Sequence, residues 1–107
     1  MAYSTANRSS RYSQQVEDAK QRAAYTPIDQ VMRRLGFEFA RTTRRDTWYS
    51  CPLHQDGTPS FHTTTGAGKD GRDVWKCFGC QDGGDVIRLV QRARRVSFMD
   101  AVRWINS

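Results

Sequence analysis

Apolar residues recur at helical spacing over 28–35 and again beyond residue 85, and alternate with polar ones between. Ile28, Val31, Met32 and Leu35 fall on one helical face, with Thr26 as N-cap, Pro27 at the first helical position and Gly36 as a left-handed stop. Arg33 and Arg34 lie off that stripe. Residues 37–41 alternate and predict a strand, 42–46 a basic turn, and 47–51 a second strand, making a hairpin. Gly57 and Pro59 mark a tight turn before a strand over 61–65; a glycine-rich loop over 66–72 then leads to a returning strand over 73–78. After a turn at 81–84, residues 85–95 predict a helix with an acidic start and a basic end, directing Val86, Ile87, Val90 and Ala93 to the sheet. Ser97 and Asp100 resemble a capping box for a last helix that buries Phe98, Ala101, Val102 and Ile105.

The N-terminal stretch lacks such a period. Residues 1 to about 12 read as disordered, and 13–24 as an exposed helix that buries little. The organisation expected is a flexible, part-helical arm over 1–25 and one folded domain over 26–107.

Composition narrows the class. A hydrophobic content of 37% and a mean hydropathy of −0.77 leave little for a self-sufficient core, so a metal staple has a folding rationale. No apolar run reaches the roughly 20 residues that span a bilayer, and no signal-like apolar core follows the first residues, so a cytoplasmic protein is expected. The formal charge is +6, and fourteen of the seventeen basic residues are arginine, which suits phosphate as well as acidic protein surfaces. Arg8 and Arg11 read either as part of a plain leader or as a basic arm on nucleic acid.

The chemistry concentrates between residues 51 and 80. Cys51-Pro52-Leu53-His54 is followed, twenty-two residues later, by Cys77-Phe78-Gly79-Cys80, and these hold all three cysteines of the chain. Three thiolates and one imidazole in paired knuckles make a closed, tetrahedral site for one structural zinc ion, Zn2+. Phe61, Trp75 and Phe78 are expected to shield the thiolates, and Gly79 to permit the turn that aims amides at sulfur. His62, outside both knuckles, reads as a strand or surface residue. The loop over 66–72 lacks the Gly-Lys-Ser/Thr ending of a phosphate-binding loop.

Taken with Asp56, Thr58-Pro59-Ser60-Phe61, Trp75, Gly83-Gly84-Asp85-Val86-Ile87 and Ser97-Phe98 with Ala101-Val102, the knuckles resemble the zinc-binding domain of DnaG-type bacterial and phage primases over residues 27–106. The resemblance implies an α+β fold, a small zinc-ribbon-like antiparallel sheet flanked by short helices. It implies Cys51, His54, Cys77 and Cys80 as zinc ligands, and single-stranded DNA as partner. The DNA-binding candidates it suggests are Arg41, Arg44, Arg45, Trp48, His62, Lys69, Arg72 and Lys76. Alternation puts Lys76 on the open face and Trp75 with Cys77 in the core. Trp48 reads equally as core or as a base platform.

A primase polymerises with a separate domain bearing an acidic metal-binding cluster; the eleven acidic residues here are scattered, and a filled four-ligand zinc has no open position. The expectation is a non-enzymatic DNA-binding module of a primase or replisome, an accessory chain of a phage or mobile element that supports a primase catalytic subunit or helicase. A protein-interaction or regulatory factor on the same scaffold, and a fragment of a longer primase, are the alternatives.

Overall fold

A computed structural model describes residues 2–37, 39–44, 46–50 and 60–107, with side chains from residue 11 onward. Cys51 and His54 of the expected ligand set, and Arg45 of the expected DNA contacts, lie outside the described residues.

The element order is α1 (Ala2–Ala24), α2 (Ile28–Leu35), β1 (Phe39–Thr43), β2 (Asp46–Tyr49), β3 (Phe61–Thr64), a 3-10 turn (Lys69–Gly71), β4 (Val74–Cys77), β5 (Asp82–Gly84), α3 (Val86–Arg94) and α4 (Phe98–Asn106). The five strands form one antiparallel sheet in chain order, β1 to β5. This is the α+β architecture the sequence suggests, with one strand more than its pattern shows. Residues 82–84, expected as turn, pair instead with β4 through Trp75–Gly84, Lys76–Gly83 and Cys77–Asp82. Gly83 permits that approach, since a Cβ there would meet the Trp75 carbonyl oxygen at 2.8 Å.

Helix α2 ends as expected, on Gly36 at φ 76°, with the Gly36 and Phe37 amides donating to the Arg33 and Met32 carbonyls. Its start differs. Pro27 is the N-cap, and Thr26 turns back to donate its hydroxyl to the Arg22 carbonyl at 2.8 Å. The Ile28 amide finds its acceptor far along the chain, in Asp73 Oδ2 at 3.0 Å. Asp85 is the N-cap of α3 rather than a residue of its first turn, accepting from the Arg88 amide at 3.0 Å. Ser97 caps α4 by accepting from the Asp100 amide at 3.2 Å.

One continuous core joins the layers. The sheet contributes Tyr49, Phe61, Trp75 and Cys77; α2 contributes Ile28, Val31 and Met32; α3 contributes Val86, Ile87, Leu89 and Val90; and α4 contributes Ala101, Val102 and Ile105. Leu89, beyond the face expected for α3, is also fully buried; α3 packs against α4 as well as against β4 and β5. Phe98, expected inside, is 41% exposed at the first residue of α4, with the Lys20 ammonium 6.0 Å over its ring. Helix α1 starts at Ala2, and its last turn is part of the domain: Ala23 and Ala24 are buried in the core, and Asn106 Nδ2 donates to the Ala19 carbonyl at 3.0 Å.

Candidate metal centre and nucleic-acid interface

Strand β4 alternates, so Trp75 and Cys77 point into the core while Lys76 points out. Cys77 closes the strand with its sulfur fully buried, and a turn brings back Cys80, half-buried. The Cys80 amide donates to Cys77 Sγ at 3.4 Å, and Ser60 Oγ lies 3.5 Å from the same sulfur. The left-handed residue of this turn is Gln81, at φ 54°. The Phe78 amide donates to the Ser60 carbonyl at 3.1 Å, holding the chain after residue 59 beside the knuckle.

Tyr49, Phe61 and Cys77 form one cross-strand row. The end of β2, two residues before Cys51, therefore lies about 10 Å from Cys77, at two strand spacings. Two sulfurs three residues apart, one buried in the cluster that holds the stacked Phe61 and Trp75 rings, suit a soft-ligand zinc site. Phe61 and Trp75 lie in the same buried cluster as Cys77. Phe78 does not: the alternation of β4 carries one residue further and turns its ring outward, 56% exposed.

The opposite face holds a second row. Arg41 pairs with Trp48, Trp48 with His62, His62 with Lys76, and Lys76 with Gly83, so one line crosses all five strands. Trp48 is half-buried on this open face, its Nε1 donating to Thr43 Oγ1 at 3.0 Å. Its ring lies 4.6 Å from His62 and 6.3 Å from Phe78, and His62 lies 5.2 Å from Phe78; the interplanar angles are 24–30°. Three near-parallel rings thus pack together on one surface, with the Arg41 guanidinium 5.3 Å over Trp48 and the Lys76 ammonium 5.4 Å over Phe78. His62 Nδ1 is buried with no hydrogen-bond partner among the described residues. Phe78 completes this platform, and the strict alternation of residues 74–78 is the signal that marks it.

The remaining candidates lie apart from the row. Arg44 is exposed in the β1–β2 turn at φ 31°, and Lys69 is exposed in the β3–β4 connection. The pairs Thr43–Asp46, Asp46–Thr64 and Thr64–Val74 put both turns at the end of the sheet away from Cys77. Arg72 is half-buried, donates to Asp85 Oδ2 at 3.4 Å and stacks 5.6 Å over Tyr25, so it ties the sheet to α3 and to the end of α1.

A ribbon-like antiparallel sheet on a helical layer, with a cysteine knuckle at one end and a basic aromatic face, defines a small zinc-finger domain. The family model described as CHC2 zinc finger matches residues 12–107, and the chain belongs to this family, the zinc-binding domain of DnaG-type primases. It is 44% identical over 52 residues to the DNA primase of Mycolicibacterium smegmatis, covering 49% of this chain and 7% of that protein. It is 34% identical over 68 residues to the DNA primase of Staphylococcus epidermidis, covering 62% and 10%. Among solved structures it resembles the Aquifex aeolicus primase (zinc binding and RNA polymerase domains), with TM-score 0.67 and 25% identity over 81% of this chain and 20% of that one. The chain spans a tenth or less of the length of these two curated relatives. Among the described residues no helix is long and apolar enough to cross a membrane.

Proposed function

We propose that this domain binds single-stranded DNA for a primase in the cytoplasm, laying the strand across the open face of the sheet. The observation that carries the proposal is the row Arg41, Trp48, His62, Lys76: every strand but the last contributes a basic or aromatic side chain to one line. Stacked rings accept bases of any identity, and the flanking cations meet phosphates. Arg44 and Lys69 extend the positive surface at the far end of the sheet.

Cys51, His54, Cys77 and Cys80 would hold one zinc ion. The ion supplies structure, since a four-ligand set leaves it no open position for substrate. The domain then acts by binding, as a separate chain or as part of a longer one, and the polymerising chemistry belongs to a catalytic domain.

Fluorescence anisotropy of labelled single-stranded oligonucleotides at two salt concentrations tests this. Affinity is expected to fall with salt, with a log–log slope of about 0.7 per phosphate contact. Trp48→Ala is expected to weaken binding by about tenfold or more, and Lys76→Ala to remove about one contact from the slope. No binding at low salt, or Arg41→Glu and Lys76→Glu both leaving affinity unchanged, would falsify the proposal. Unchanged DNA affinity together with a stoichiometric protein partner would point to an interaction factor instead.

A further inference from the structure

The row across the open face ends in a gap. Opposite Lys76 stands Gly83 on the edge strand β5, and a side chain is excluded there by the Trp75 carbonyl, so the gap is fixed by the sheet itself. A cavity of about 450 Å3 opens at this place, lined by Trp75, Lys76, Phe78, Gln81, Asp82 and Gly83. Its volume lies in the range of small-molecule sites.

Two of the lining side chains are anchored. Trp75 is 2% exposed, and its Nε1 donates to the Asp85 carbonyl at 2.8 Å. The Asp82 carboxylate accepts from the Gly83 amide at 2.8 Å and pairs with Arg92 Nε at 2.8 Å and Arg88 Nη2 at 3.4 Å, which pins β5 to α3 and neutralises the wall. Phe78 is held at its backbone by Ser60, yet it leaves more than half of its ring to solvent at the cavity mouth. Gln81 is exposed, and its amide makes no side-chain hydrogen bond among the described residues.

We infer that, on the single-strand reading of this face, the cavity at the β5 edge seats one unstacked nucleobase, with Phe78 against its π-face and the Gln81 amide at its edge. The chemistry matches part by part. An exposed flat ring contiguous with the Trp48–His62 platform takes the face of a base. An unengaged amide offers both a donor and an acceptor to a base edge, which every nucleobase answers. The Lys76 ammonium, 5.4 Å from the Phe78 ring, stands where the phosphate of the same nucleotide is neutralised. The platform alone is indifferent to sequence; this seat gives the surface one position where base identity counts.

The test is an amide NMR titration of the zinc-loaded full chain with the four deoxynucleoside 5′-monophosphates, and with deoxyribose 5-phosphate as the base-free control. The base-bearing ligands are expected to shift the Phe78, Gln81 and Gly83 amides, and the control to leave them in place. Phe78→Leu is expected to lower mononucleotide affinity by about fivefold or more, and Gln81→Ala to level the differences among the four bases. Unchanged amide dispersion and zinc content show that each variant is folded. Equal shifts with deoxyribose 5-phosphate, or shifts confined to β1 and β2, overturn the seat. Oligonucleotide binding without shifts at the cavity overturns the seat and leaves the DNA-binding role standing; mononucleotide shifts at the cavity without oligonucleotide binding do the reverse.

Discussion

Asp73 serves two elements with one carboxylate. Its Oδ2 accepts from the Ile28 amide at 3.0 Å, where Pro27 as N-cap has no side chain able to do so, and its Oδ1 accepts from the Gly66 amide at 2.9 Å. The first bond closes the start of α2 and the second closes the β3–β4 connection, so one residue fixes the helix to the sheet. Asp73→Ala is expected to lower the unfolding free energy by about 2 kcal/mol, the upper end for a lost cap, with Asp73→Asn intermediate; urea midpoints at constant slope would show it. None of this is legible in sequence, because capping signals are sought within a few residues of a helix and Asp73 lies forty-five away. Strand alternation, by contrast, gave Lys76 and Trp75 their faces correctly. The same rule extended by one residue puts Phe78 outside. The shielding expected of it beside the knuckles yields to its position one residue beyond β4.

Strand β5 shows what an element loses when its sequence carries no pattern. Asp-Gly-Gly has the composition of a turn, and only contact with β4 makes it a strand; glycine is needed for that contact and hides it from a propensity reading. What keeps so short an edge in place is Asp82. Its carboxyl is held below the ordinary value of 3.8, chiefly by the Gly83 amide hydrogen bond, which outweighs the opposing push from burial, and further by Arg88 and Arg92. A carboxyl whose folded pKa lies below its unfolded one stabilises the fold fully above the ordinary value and loses that contribution as pH falls through the lower, folded value. The wild-type unfolding free energy should therefore drop faster than that of Asp82→Asn as pH is taken below about 4, the two curves drawing together in acid. At neutral pH the variant should be weaker by about 1 kcal/mol, since the ion pairs reach solvent. Parallel curves across the acid range would count against the role given to Asp82.

At the scale of the whole molecule, the sheet and the helices do not have separate interiors. Phe61 stacks on Trp75 at 5.1 Å and meets Tyr49 and Phe37 edge-on at 6.2 and 6.0 Å, and these rings form one buried cluster with Met32, Val86, Leu89 and Ala101. Cys77 belongs to that cluster as well as to the proposed ligand set, so the metal centre and the core meet at one side chain. Four sheet strands of four or five residues and a fifth of three make a small sheet, for which a metal staple has a folding rationale. A structural zinc contributes about 10 kcal/mol or more to the folding of small metal domains, as much as a domain of this size holds in total. Chelation, with metal loss confirmed, is therefore expected to abolish far-ultraviolet helical ellipticity and the near-ultraviolet tryptophan signal in one transition, and Cys77→Ser to do the same without chelator. A core of separate layers would behave otherwise, losing the tryptophan signal of the sheet while α2, α3 and α4 kept their ellipticity. That split, or native ellipticity retained in excess chelator, would show that the helical layer folds on its own and that the ion only orders the surface beside it.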